Sequence, residues 1–184
     1  LTVRRVGWLA AAAVLLATNW LTYAFAVTSG HVVDASLGYF INPLVSVVLA
    51  VLVLHDRLTP TQWTSVALAA VGVVVITASS GLVPWVGLVL AVSFGTYGLI
   101  RKRLDIGTVE GLTVETAVLL PAALVILLVS GSGLTGSGTT TGSLPVPLLV
   151  VLLGPITALP LLAFGAATQR LPLTIVGMLQ YICP

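Results

Sequence analysis

Charge is scarce in this sequence. Asp, Glu, Lys and Arg together supply 7% of its 184 residues, against roughly 25% in an ordinary soluble domain. So few charges cannot cover a water-facing surface. With 58% apolar residues and a mean hydropathy of +1.18, the chain has lipid as its main solvent. Cysteine is nearly missing too: Cys183 stands alone, which excludes an intrachain disulfide and suggests no thiolate metal site. The acids are dispersed, so no carboxylate pair is set out to hold a metal–phosphate group. His31 and His55 sit in connections at opposite membrane faces, outside any His-Glu-x-x-His pattern. A Gly-rich phosphate loop is also absent from the sequence. These gaps argue against an enzyme and against a cofactor, a metal or a nucleic-acid partner. A lipid-modifying intramembrane enzyme stays as the alternative reading.

What is present is a succession of oily runs. Scanning for stretches of about 20 apolar residues gives seven segments. They are A (Val6–Val27), B (Val32–Leu54), C (Gln62–Ala78), D (Leu82–Ile100), E (Leu112–Ser130), F (Val146–Ala166) and G, from near Leu171. The first run is too long for a cleavable signal. The last, Leu171–Pro184, would rise only about 21 Å as a helix, short of the bilayer's hydrocarbon core. The expectation is an all-α membrane protein, a polytopic helical bundle of about six full spans and a truncated one. The chain reads as an internal fragment of a longer protein, inactive alone as the further alternative. The uncharged tract Gly131–Leu144 reads as a flexible loop.

Charge position orients these spans. Alternating sides from the start of A puts Arg4, Arg5, Arg57, Arg101, Lys102, Arg103 and Arg170 all on one face. The positive-inside rule makes that face cytoplasmic. A multi-pass protein of a cell membrane, with its Lys/Arg-bearing loops in the cytoplasm, is therefore expected. Arg101–Arg103 reads most simply as an anchor to lipid headgroups. Trp20, Trp63 and Trp85 read as lipid-facing or interface anchors. Ala91-x-x-x-Gly95 and Ser65-x-x-x-Ala69 are small-residue faces suited to close helix packing.

An offset of 141 residues sets Ala17–Pro43 against Ala158–Pro184, with Pro43 on Pro184 and Phe40 on Tyr181. The copies start five segments apart, an odd number, so the second enters from the opposite side. That is the inverted repeat of many secondary transporters. Residues 1–80 would close a first repeat and residues 81–184 open a second. Pro43, at mid-depth in B, frees the carbonyl of Tyr39, and Asn42 adds an amide beside it. Pro184 would act likewise next to Gln180 and Tyr181. Polar, proline-bearing helices at matching places in two half-repeats point to a midplane binding site. The plainer explanation is a packing kink with an interhelical amide bond.

These residues carry a resemblance. "NWLTYAFAVTSGHVVDASLGYFINPLVSVVLAVLVLHDRLTPTQW" (Asn19–Trp63), "SFGTYGLIRK" (Ser93–Lys102), "GLTVETAVLLP" (Gly111–Pro121) and "LPLTIVGMLQYICP" (Leu171–Pro184) are similar to RarD-type proteins. These are the chloramphenicol-sensitivity branch of the EamA family in the drug/metabolite transporter superfamily. The resemblance implies ten helices in two inverted five-helix repeats, of which this chain would hold the third through half of the ninth. It departs at His55-Asp56-Arg57, where the family more often has Glu before the Arg.

The expected function is a secondary transporter, permease or exporter, moving small organic solutes or drugs by alternating access. Candidate solute-binding residues are Asn19, Tyr23, Tyr39, Asn42, Tyr97, Gln180 and Tyr181, with helix breaks at Pro43 and Pro184. Asn19 and Tyr23 lie one turn apart on one face of A. Asp34 and Glu115 are ion-coupling candidates, because intramembrane acids often line pathways. Each has a plainer role as a first-turn carboxylate favoured by its helix dipole. The expected partners are the lipid bilayer and a small-molecule substrate, with a homodimer possible.

Overall fold

In the computed structural model, which describes residues 2–80, 84–129 and 146–182, every element among the described residues is helical. The helices are α1 (Val3–Thr28), α2 (Val32–Leu49), α3 (Pro60–Ser80), α4 (Trp85–Leu104), α5 (Thr108–Val129), α6 (Val146–Arg170) and α7 (Leu173–Leu179). Pro184, Cys183 and the tract Gly131–Leu144 lie outside the described residues. Among the described residues, five helices are long and apolar enough to cross a membrane: α1, α2 with the turn that extends it, α3, α5 and α6. The sixth long one, α4, carries Arg101, Lys102 and Arg103 in its last turn. Segment D was expected to stop at Ile100. The helix continues to Leu104 instead, because these cations find acceptors on neighbouring elements.

Helix α4 is the axis of the bundle, packed chiefly on α2 and α1. Small residues let the backbones meet. A Cβ added at Gly87 would lie 2.8 Å from the Asp34 carbonyl oxygen and 2.9 Å from the Gly38 nitrogen. One turn pair along, Ala91 is fully buried and Gly95 faces Val45. Along this seam Leu37, Ile41 and Ala91 form one apolar cluster, and Ala26, Ala35, Val86 and Leu90 another. By contrast, α3 has no residue buried in the bundle among those whose side chains are described. Its start is locally determined: Thr59 N–H donates to Gln62 Oε1 at 2.8 Å, and Gln62 N–H to Thr59 Oγ1 at 3.3 Å. With Pro60 between them, this is a reciprocal capping box followed by proline at the first helical position.

Helix α2 runs unbroken through Pro43, so the expected break there is corrected. A proline within a helix leaves the preceding turn one bond short without forcing the chain out of helical dihedrals. The irregularity comes later, as a π-helical turn over Ala50–Leu54 closed by His55 in a left-handed conformation (φ 58°).

Candidate functional site

Among the described residues, two groups of polar side chains inside the bundle stand out. The first lies where α2 meets α7. Asn42 Nδ2 donates to Gln180 Oε1 at 3.0 Å, and Tyr181 Oη donates to the Phe40 carbonyl at 3.1 Å. Gly177 lets α7 come this close: a Cβ there would be 3.2 Å from the Pro43 carbonyl oxygen and 3.3 Å from Ser46 Cβ. Asn42 Oδ1 is buried and accepts no hydrogen bond. That leaves an acceptor at mid-helix with nothing to bond, which is costly in a low-dielectric interior. Tyr39, three residues before Asn42 on the same face of α2, meets Tyr23 of α1 edge-on with ring centroids 6.3 Å apart. One turn earlier on α1, Asn19 Nδ2 donates to the Leu90 carbonyl at 2.9 Å and to Ser93 Oγ at 3.0 Å. Thus Asn19, Tyr23, Tyr39, Asn42, Gln180 and Tyr181 join α1, α2, α4 and α7 through polar and aromatic contacts.

Tyr97 does not join them. Its hydroxyl donates to Glu115 Oε2 at 3.2 Å, in the second polar group near the basic end of α4. Arg101 Nη1 reaches Glu115 Oε1 at 3.5 Å, and its Nη2 donates to the Thr108 carbonyl at 3.1 Å. Tyr97, Arg101 and Glu115 are all buried, and Arg101 Nε has no partner. Glu115 therefore lies paired inside the protein rather than capping the start of α5. Asp34 is half-buried in the first turn of α2, and among the described residues no hydrogen bond or ion pair reaches its carboxylate.

The basic run at the end of α4 was expected to face headgroups. Arg101 instead points inward, while Lys102 Nζ donates to the Leu171 carbonyl at 2.9 Å and Arg103 Nη2 to the Val53 carbonyl at 3.0 Å. Carbonyls left free at the ends of α6 and of the π turn supply the acceptors. Asp56 serves the opposite need: its Oδ2 accepts from Thr174 Oγ1 at 2.9 Å and from the Thr174 N–H at 3.4 Å, at the start of α7. The sequence pointed to neither tie. Its one signal was a carboxylate beside an arginine after segment B.

A groove of about 400 Å³ runs between Val109, Leu112, Thr116 and Leu120 of α5 and Leu162 of α6. It is almost wholly apolar and touches neither polar group.

Residues 1–78 match the EamA-like transporter family. An uncharacterized transporter of Pseudomonas aeruginosa is 51% identical over 96% of this chain and 59% of its own length. Protein RarD of Streptomyces exfoliatus is 47% identical over 98% of the chain and 57% of its own length. Protein RarD of Escherichia coli is 42% identical over 100% of the chain and 62% of its own length. The chain thus spans about three-fifths of the length of these curated relatives. No solved structure matches it.

Proposed function

From the premise that the chain belongs with the RarD-like proteins of the EamA-like transporter family, we propose that the protein is part of a secondary transporter. It moves small organic solutes by alternating access, with the solute held where α2 meets α7. The observation that carries this reading is the buried, unpartnered Asn42 Oδ1 beside the Asn42–Gln180 bond. A solute offering an N–H or O–H group would satisfy that acceptor and lift its desolvation cost. Tyr39 and Tyr23 supply aromatic faces along the same path.

An inverted repeat underlies the arrangement. At the offset of 141, Phe40 corresponds to Tyr181, and these two residues are in contact. Equivalent residues touch each other only where a pseudo-two-fold axis passes, and transporters of this class bind at that crossing. The same offset carries the start of α2 at Val32 onto the start of α7 at Leu173, which further supports the repeat. The end bearing Arg101, Lys102, Arg103 and Arg170 is assigned to the cytoplasm by the positive-inside rule, and the membrane to the bacterial cell membrane. Asp34 and Glu115 remain the ion-coupling candidates.

The test is flux of a panel of neutral and cationic organic solutes into proteoliposomes under imposed proton and sodium gradients. Asn42→Ala should reduce flux of any transported solute at matched membrane abundance. Unchanged flux would reject Asn42 as a solute ligand.

A further inference from the structure

The Arg101 group has features that a solute cavity does not explain. Among residues whose side chains are described, α5 buries only Gly111 and Glu115, and α6 only Gly165 and Thr168. Both glycines face one guanidinium. A Cβ on Gly111 would overlap Arg101 Nη1 and lie 2.6 Å from its Cζ; one on Gly165 would lie 2.7 Å from Thr108 Cγ2 and 3.0 Å from Arg101 Nη2. Arg101 thus fills a slot between α4, α5 and α6 around which the buried residues of α5 and α6 gather, while the length of α5 packs chiefly on α1. Beyond this slot, α6 meets α4 through Phe164, whose ring is 4.8 Å from that of Phe94 and 6.2 Å from that of Tyr97.

We propose that Glu115 is a proton-binding site and that its protonation releases Arg101, opening the buried slot between α4, α5 and α6. The charges make the case. With Glu115 ionised, its carboxylate offsets the buried guanidinium, although at 3.5 Å and through one nitrogen only. The planar fork-to-carboxylate geometry that secures a buried arginine is not formed. A proton taken from water onto Glu115 leaves a neutral acid that still accepts from Tyr97. It also leaves Arg101, which does not deprotonate in proteins, as an unbalanced buried charge with its Nε already unpartnered. Arg101 lies in the last turn of α4 beside Lys102 and Arg103, so its long stem can carry the charge out to water at that end. The slot then stands empty and open to water beside Ile106, while Lys102 and Phe164 still hold α6 to α4.

Tyr97 and Arg101 are the titratable groups that α4 turns toward Glu115. Glu110, on α5 itself, is exposed. Arg4 and Arg5 of α1 and Arg170 of α6 are exposed, and none reaches Glu115 among the described residues. The proposal takes only its purpose, a gate, from the transporter reading. Its chemistry stands apart from it.

The test needs no solute, so its failure and that of the solute site are separate results. Ile106, buried in the α4–α5 connection, is replaced by cysteine in a Cys183→Ser background and the protein is reconstituted in lipid. Maleimide labelling is followed against pH, normalised to a cysteine at exposed Thr61. The normalised rate should rise on acidification by about tenfold per pH unit at most, the limit for one linked proton. Glu115→Gln should label fast at every pH, and Asp34→Asn should keep the rise. Should Glu115→Gln misfold, the pair Arg101→Gln with Glu115→Gln carries no buried charge and should give a flat profile. A flat profile in the starting protein, or a rise that survives in either Glu115 variant, overturns the proposal.

Discussion

Asn42 and Gln180 stand 138 residues apart and share a 3.0 Å hydrogen bond. The bond ties the middle of α2 to the end of α7, and the Asn42 oxygen beside it is left over. A contact made only for stability would use both ends of the amide. The spare acceptor is the reason the solute is proposed to bind at this spot.

Replacing Gln180 by Ala should therefore act differently from replacing Asn42. Gln180→Ala removes one neutral hydrogen bond, about 1 kcal/mol of stability, and leaves the spare acceptor in place. Asn42→Ala removes both and should cut solute flux roughly tenfold, the equivalent of a second bond lost to the solute. Flux and thermal melting of the two variants in the same lipid check this.

The seam between α2 and α4 gives a prediction with two signs. Gly87→Ala drives a methyl to 2.8 Å from the Asp34 carbonyl and should cost about 1–3 kcal/mol, the usual price of overpacking. Gly72→Ala, with nothing within 4 Å, should be neutral or stabilising by up to about 1 kcal/mol, since alanine favours helix. The melting temperature in detergent should fall for Gly87→Ala and hold or rise for Gly72→Ala.

Asp56→Ala should lower stability by about 1 kcal/mol through loss of the bonds to Thr174. Asp56→Glu, which keeps the charge, should recover part of it. Denaturation curves distinguish the two variants, and equal melting of both would remove Asp56 from the account of α7.

For orientation, a cysteine at Ser29, in the exposed turn between α1 and α2, should react with an impermeant maleimide from outside intact cells. One at Thr61 should react only after permeabilisation. A cysteine at Thr139, outside the described residues, should behave like Ser29. The reverse pattern would invert the assignment of sides.

The long helices were legible in sequence because their oily runs are nearly uninterrupted, and α2 was found from Val32 onward. Asn42 and Gln180 stood out as amides in oil, and the structure brings them together. Tyr97 was grouped with them because depth along a helix is readable from sequence, whereas the direction of a side chain around it is not. Arg101 was missed for a related reason: a cation at the end of a span normally reaches for water. Gly111 and Gly165 were the available clue, yet glycines in membrane helices are too common to reveal which side chain fills the gap. Pro43 was read as a break, although one missing bond does not outweigh a turn packed on both sides.

The bare backbone contact of Gly38 with Gly87 has a mechanical consequence. No side chain there can compress or change rotamer, so the two helices have no slack near their Asp34 and Trp85 ends. If α2 and α4 part, they splay from the far ends, where side chains that can shift (Leu49, Val53 and Leu54 against Leu99) and the Arg103–Val53 bond make the contact. The seam is a fulcrum, and the arginines sit at the long arm of the lever.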